Sequence, residues 1–538
     1  MKTKFLFTLT AVLLFLIPGS SFGQTVNLGT AADFVLFSSN GAVTNTGITN
    51  LTGNVGTNSG SITGFGNVNG VMHSNDGASA QSAADLLIAY NQLNSTVPTF
   101  SHAPLLGNGD TLVAGVYDIS GATTLNLGLT LDAKGNANAV FIFKVGGTFS
   151  TNVAAKIHLI NAAKACNVYW KVEGLVSLAS ETKMSGTIIA NNAAIVLTTN
   201  DTIEGRILST AGAITTNGVL AYTPVVPGVP LLTGPKAPGL GSTKCYALFS
   251  GNGPVTNTGV SSVMGDIGTN VGLTSGYNAL LVTGSIHPIA DGSTALCAAD
   301  LLVVYDSLNT LPADIELLYP AQFGNNLVLT PHTYLMNAAT VLTDTLYLNA
   351  LGNADAVFVL KINGALSTGT HSKISLINGA QSKNVFWKVD GPAEINDYSV
   401  FEGTIVANNG AVSLKTGVIL DGRAYTTTGA FSTAGITTIM PSNCTVTAAV
   451  TIDAENTNDA VTISPNPFNS YINITLTEST KINVCNLIMY NVMGKEVINT
   501  TITNQITRFK TSDLHPGIYF YKVVNNNKVI QTGKLISQ

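Results

Sequence analysis

Three kinds of short β-forming run alternate through residues 141–217, and each kind returns about every 20 residues. The first kind is almost wholly apolar: FIFKV (141–145), VYWKV (168–172), TIIAN (187–191) and RILST (206–210). The second follows a small residue and alternates: TFSTN (148–152), LVSLA (175–179), AIVLT (194–198) and AITTN (213–217). The third is short and polar, as in TKMSG (182–186) and TIEG (202–205). A unit this short cannot bury its apolar side alone, so it must stack on its neighbours, and three strands per turn give a three-faced β-solenoid. Each strand then pairs with its equivalent one turn on, which satisfies the backbone along the stack.

A longer repeat encloses the short one. GAVTNTGITNLTGNVGTN (41–58) returns as GPVTNTGVSSVMGDIGTN (253–270), AADLL (83–87) at 298–302, VFIFKV (140–145) as VFVLKI (357–362), and VYWKVEG (168–174) as VFWKVDG (385–391). The partners stay 212 to 217 residues apart (41 to 253, 83 to 298, 140 to 357), so few insertions separate the copies. Residues 24–222 and 243–441 read as two copies of one domain, joined by a Pro/Gly-rich linker over 223–242 that favours extended backbone. In each copy one helix interrupts the strands. AQSAADLLIAYNQL (80–93) has Ala83, Leu86, Leu87 and Tyr90 at helical spacing, and 295–308 repeats it. The first strand type is apolar on both faces and must be covered outside as well as inside, so the helix is expected to lie along it. The expected fold class is mostly β: two discontinuous three-faced β-solenoids (β-helices), each with one alongside α-helix, plus a small C-terminal β-sandwich.

The chain begins MKTKFLFTLTAVLLFLIPGSSFGQ, with a basic start, an apolar run and small residues before a cut near Gly23, which reads as a signal peptide over 1–23. Five cysteines are scattered over 538 residues, with no metal-ligand spacing. Cys297 falls on the second helix and Cys245 on the neighbouring run CYALFS, so either a disulfide joins them or both are separate buried thiols.

Alternation of the second strand type places Val43, Phe149, Val176, Ile195 and Ile214 inside. Three columns then face water in copy one. The middle column is Thr44, Thr124, Ser150, Ser177, Val196 and Thr215. One flank is Thr46, Asn126, Asn152, Ala179, Thr198 and Asn217, and the other is Ala42, Ala122, Thr148, Leu175, Ala194 and Ala213. None is charged, in keeping with a chain that is only 10% Asp, Glu, Lys and Arg. Residues two apart on a strand lie about 6.7 Å apart and neighbouring strands about 4.7–4.8 Å, near the roughly 4.5 and 7.4 Å oxygen repeats of ice. Such a grid of hydroxyl, amide and methyl groups can hold ordered water. Exposed Thr and Ser on β faces are common for reasons of propensity alone, and only their uncharged continuity over six turns points further.

The net charge of −5 offers no basic footprint for nucleic acid. Paired carboxylates, nucleophile elbows and phosphate loops are not found, the seven histidines are isolated, and LDAKGNANA (131–139) supplies too few carboxylates for calcium. No enzyme, cofactor, metal or small-molecule substrate is expected. The rival to a water-ordering surface is an adhesin or glycan-binding solenoid. It is disfavoured because Trp170 and Trp387, the natural sugar platforms, sit in first-type strands under the helix.

AVTNTG with the following GxxGTN, AADLL, LTLDAKGNANAVFIFKV (129–145), VYWKV and GTIIA…GRILST…GAITTN together resemble the ice-binding (antifreeze) domain family, DUF3494. Copy two repeats the likeness, which covers about 400 residues. The resemblance implies a secreted monomer that adsorbs to ice through one flat face, giving thermal hysteresis and inhibition of ice recrystallisation. Thr44, Thr46, Thr124, Asn126, Thr148, Ser150, Asn152, Ser177, Ala179, Thr198, Thr215 and Asn217 become the candidate ice-binding residues. The second-domain candidates are Thr256, Thr258, Thr343, Ser367, Ser413 and Ser432. Copy two departs from the pattern, with Glu394 and Lys415 in the plane and Pro254 and Pro392 on its flank, and is expected to bind ice less well. After a linker over 442–460, residues 461–538 carry ISPNPF (463–468), IMYNVMGKEV (488–497) and LHPGIYFYKVV (514–524). This region resembles the Bacteroidetes type IX secretion sorting domain, although Asn491 replaces the usual acidic turn residue. That implies the secretion machinery as partner and a secreted or outer-surface location.

Overall fold

The computed structural model describes residues 26–226, 230–440, 461–476, 485–491, 495–525 and 528–538. The leader and the second linker lie outside the described residues. The chain forms two compact units, dividing at Thr445/Val446.

The first unit holds both solenoids. In the first, the apolar runs stack in parallel as one wall, with Phe141–Val145 on Val168–Val172 in unbroken register. The second-type runs form a separate eight-stranded parallel wall. Polar runs form a third wall, and the eight-residue strands Lys183–Ala190 and Thr202–Ser209 bend from it into the first. Stacking order is not chain order. The N-terminal strand Val43–Thr46 pairs with Ile214–Asn217, the last of the second-type runs, and Ile62–Thr63 then covers Val43–Thr46. The chain thus starts near one end, closes that end, crosses to the other along the helix, and climbs back coil by coil. The second solenoid repeats this, with Val255–Thr258 between Phe431–Ala434 and Thr274–Ser275.

The repeated VTNT phrase explains how the closure holds. Val43 faces inward, and so does Asn45, two residues on. The Asn45 amide donates to the carbonyls of Gly47 and Gly64, both at 2.9 Å, while its Oδ1 accepts from Thr49 Oγ1 at 2.6 Å and Thr216 Oγ1 at 2.8 Å. One side chain therefore ties the N-terminal strand to the last coil and to the covering coil. Asn257 does the same with Gly259, Gly276, Ser261 and Thr433. The threonine of GTN helps: Thr57 Oγ1 donates to Gly41 O at 2.8 Å, and Thr269 Oγ1 to Gly253 O at 2.6 Å. Gly41 is required for space, because a Cβ there would lie 2.5 Å from the Gly212 carbonyl of the adjacent coil.

The helices are Gly77–Ser95 and Gly292–Asn309, each opened by a capping box, Asp76 with Ser79 and Asp291 with Thr294. The first buries Ser79, Ser82, Leu86, Ala89 and Leu93 against Phe37, Ile142, Tyr169, Ile189 and Leu208 of the apolar wall. Leu87, expected on the buried face, points to solvent. Lys144, of VFIFKV, donates to the helix-end carbonyls of Asn94 (3.0 Å) and Thr96 (2.8 Å), opposing the negative end of the helix dipole. Lys361 repeats this on Asn309 and Leu311. Asp85, of AADLL, accepts from Thr30 N and Oγ1, both at 2.7 Å, and Asp300 from Ser242. The residues that recur between the copies thus include those that moor the helix.

Three expectations are corrected. Cys245 ends a short 3-10 turn (Gly241–Cys245) ahead of the strand, and it is disulfide-bonded, but Cys297 is a free buried thiol, so the two are not joined. Trp170 and Trp387 point into the solenoid cores rather than under the helices. Trp170 stacks on Phe143 at 4.0 Å and donates to Ser185 O at 3.1 Å. Three of the histidines have carboxylate neighbours: His73 Nδ1 lies 2.8 Å from Asp76 and His287 Nδ1 2.6 Å from Asp291, each beside a helix-capping carboxylate, and His102 Nε2 lies 3.9 Å from Asp110.

The second unit pairs a three-stranded antiparallel sheet (Val461–Ser464, Tyr471–Leu476, Ile506–Lys510) with a four-stranded one (Cys485–Asn491, Glu496–Ile502, Gly517–Asn525, Lys528–Ser537). Both contribute to a core that includes Phe468, Ile472, Leu487, Met489, Val523 and Leu535.

Candidate functional site

The eight-stranded wall of the first solenoid carries the expected columns, in an order set by the stacking. From one end the middle column runs Leu105, Thr124, Ser150, Ser177, Val196, Thr215, Thr44, Thr63, each directly opposite the next. Thr44 is therefore an interior member of the column, beside Thr215, and not its start. Sequence reasoning missed both ends. Thr63 lies in a two-residue strand too short for a periodicity signal, and Leu105 follows Pro104 outside the repeated runs. Thr124 and Ser150 hydroxyls bond at 3.0 Å, so neighbours on the column hold each other's rotamers.

One flank is an amide ladder. Asn152 Nδ2 donates to Asn126 Oδ1, and Asn126 Nδ2 to Asn108 Oδ1, both at 2.7 Å. The ladder fixes amide orientation, so the remaining donors and acceptors point the same way on successive coils. Thr46 and Asn217 are opposite each other on the same side and both exposed. The ladder fails at Ala179, which has no polar group, and Ser180 approaches Thr198 Oγ1 at 3.4 Å in its place. Thr198 is half-buried, its hydroxyl turned to Leu178 O at 2.9 Å and its N–H held by Asp201 at 2.7 Å, so it is corner scaffolding as much as surface. The other flank is Ala122, Thr148, Leu175, Ala194, Ala213 and Ala42, continued by Ser61, with Thr148 and Leu175 exposed.

No charged side chain stands in these columns. Asp201 is buried under the corner, where it accepts from the N–H groups of Thr182 and Thr198. Burial pushes its carboxyl up to about 6, and the two N–H groups it accepts from pull the other way.

In the second solenoid the middle column is Val341, Ser367, Glu394, Ser413, Ser432, Thr256 and Ser275. Ser432 bonds Ser413 at 3.2 Å, and Thr256 and Thr258 turn towards the carbonyls of Phe431 and Thr433. Thr343 sits at the other end against Asn325. Glu394 and Lys415 pair at 3.1 Å across the face. The pair cancels net charge but leaves two long, hydrated side chains standing above the plane.

Among the described residues no group of three His, Cys, Asp or Glu side chains could hold a metal. The wall offers a rigid plane with a strand repeat in one direction and a two-residue repeat in the other.

Residues 37–219 and 249–439 each match the family model described as ice-binding-like, and residues 462–538 match a secretion system C-terminal sorting domain. An ice-binding protein of Nostoc sp. is 36% identical over 215 residues, which are 38% of this chain and 79% of that protein. One from Flavobacterium frigoris is 32% identical, covering 36% of this chain and 75% of that protein. The crystal structure of an ice-binding protein from an Antarctic Flavobacteriaceae bacterium superposes on 78% of this chain and on all of that one, with 57% identity and a TM-score of 0.77.

Proposed function

The chain belongs to the ice-binding-like family, and we propose that it is an exported ice-adsorbing protein that works through the small-residue wall of its solenoids. The observation that carries this is the first solenoid's uncharged middle column, eight residues in continuous register and flanked by an orientated amide ladder. Each hydroxyl, amide or methyl group contributes little to an ice contact. A rigid plane presents them together, and because neighbouring side chains and the coil stack already fix their positions, little conformational entropy remains to be lost on adsorption. Charged side chains would hold mobile water and roughen the plane. The candidates Thr44, Thr46, Thr124, Asn126, Thr148, Ser150, Asn152, Ser177, Ala179, Thr198, Thr215 and Asn217 act as a surface, with the exposed Thr215, Thr46 and Asn217 best placed to meet ice.

The second solenoid presents Thr256, Thr258, Thr343, Ser367, Ser413 and Ser432 in the same architecture, interrupted by the Glu394–Lys415 pair. The C-terminal unit is a sorting domain, and with it the protein is directed to the outside of the cell or its surface.

The test is thermal hysteresis of the full chain against Thr215→Tyr. Thr215 is exposed in the middle column, between Val196 and Thr44, so a tyrosine there lifts the face from a crystal without touching the core. A large fall in hysteresis at unchanged melting temperature is expected. Unchanged hysteresis would move the site to another face, and a parent with no hysteresis would leave the glycan-binding reading as the one to pursue.

A further inference from the structure

We infer that the two solenoids are fastened end to end, so that their small-residue walls lie on one side of a single rod and meet ice as one surface; this rests on the ice-adsorption reading. The residues that fasten them are the outermost coils of each stack. In the first solenoid the last coil is Ile62–Thr63, the following loop, and Met72–Ser74. In the second it is the opposite end, Ile315–Glu316, Phe323–Gly324 and Val328–Leu329. Asn67 clamps one backbone unit across the junction: its Oδ1 accepts from Tyr319 N at 2.9 Å and its Nδ2 donates to Tyr319 O at 2.8 Å. Asn69 Oδ1 accepts from Tyr334 OH at 2.7 Å, and its Nδ2 donates to Thr330 Oγ1 at 3.1 Å. Asn67 is 8% exposed, Asn69 3%, Thr330 4% and Tyr334 0%. Buried amides whose partners lie on the other solenoid would be left unsatisfied if the junction opened dry, so the join resists hinging.

The same contacts set the rotation. Asn69 bridges to Thr52 on the third wall of the first solenoid and bonds Thr330, which directly follows Val328–Leu329 on the third wall of the second. Val71 and Met72, on the apolar wall side, share a small cavity with Glu316 and Leu318, on the apolar wall side of the second. Asn67, in the corner after Ile62–Thr63, lies against the Tyr319–Gln322 turn that leads into Phe323–Gly324, the end strand of the second small-residue wall. Both copies repeat one strand order and so wind in one sense. With third wall on third wall and apolar wall on apolar wall, the small-residue walls share the remaining side. Sixteen strands at about 4.8 Å give a surface of about 75 Å, twice that of either copy. The described part of the linker is docked too, with Thr233 O accepting from Val357 N at 2.8 Å, so its length does not limit this arrangement. Two faces held in one plane act at high effective concentration on one crystal.

The test uses four full-chain proteins besides the parent: Thr215→Tyr and Ser413→Tyr, which each block one face, and Asn67→Ala/Asn69→Ala and Asn69→Arg, which open the junction. Melting curves confirm that each is folded. The parent is expected to show at least about twofold more hysteresis than the sum of the two blocked variants. Both junction variants are expected to fall to that sum while keeping both faces. A parent equal to the sum overturns the inference, and so does an excess that survives in both junction variants. Hysteresis absent from all five proteins would overturn the ice reading itself and leave the geometry of the junction standing.

Discussion

Replacing Asn45 with leucine removes a side chain of similar size that lies among apolar neighbours but makes four hydrogen bonds. The amide's two carbonyl partners, Gly47 and Gly64, belong to exposed residues and can recover water. Thr216 has a second acceptor in Thr44 O at 3.4 Å. Thr49 is buried, accepts from Val219 N at 3.1 Å, and loses Asn45 Oδ1, the acceptor for its own proton. Four lost bonds at about 1 kcal/mol each, offset in part by rehydration and by leucine's own burial, with about 1 kcal/mol more for the stranded hydroxyl, give a loss of about 3–5 kcal/mol. For a domain of this size that is roughly 10 °C in melting temperature. The assay is thermal and urea unfolding of the full chain, following the first solenoid's transition, beside Thr44→Val. Thr44 is the half-buried neighbour on the outer face and its variant is expected to stay within about 0.5 kcal/mol of the parent. If Asn45→Leu melted with the parent and lowered hysteresis instead, Asn45 would be a surface residue and the closure described above would be wrong. The same substitution at Asn257 repeats the experiment in the second copy.

Two further outcomes are expected. Asp201 has its carboxyl raised from 3.8 to about 6, so the folded chain binds this proton more tightly than the unfolded one; the stabilisation is full below about pH 4 and is lost as pH rises through about 6. Asp201→Asn should flatten that part of the stability profile, and equal pH slopes for variant and parent in urea titrations would discard the assignment. Replacing Glu394 and Lys415 together by Ser and Thr should raise the hysteresis of a Thr215→Tyr background severalfold at a cost in stability below about 1 kcal/mol, because an exposed pair is worth little. No gain would mean that the charges do not spoil the second face.

The sequence alone determined the coil. A period of about 20 residues with three strand types leaves few ways to bury FIFKV and its equivalents other than stacking, and alternation through TFSTN or AITTN decides which side chains face water. The same alternation puts Asn45 inside, two residues beyond the inward Val43, but its bonds to Thr216 and Gly64 arise only once the stack has closed. Sequence could not decide matters set by segments far apart in the chain. That Val43–Thr46 lies beside Ile214–Asn217, and Thr44 therefore beside Thr215, depends on the chain closing its stack out of order. That Leu87 faces solvent while Ser79 and Ser82 are buried depends on how closely the helix approaches the wall, which small residues permit and a hydrophobicity pattern does not record. Cys245 and Cys297 fall on neighbouring elements in the sequence reading, yet Cys245 is disulfide-bonded elsewhere and Cys297 stays a free buried thiol. The junction is the furthest from sequence: Asn67 and Tyr319 are 252 residues apart. Nothing local to either marks them as partners, because their hydrogen bonds exist only once both stacks have formed and their end coils have met.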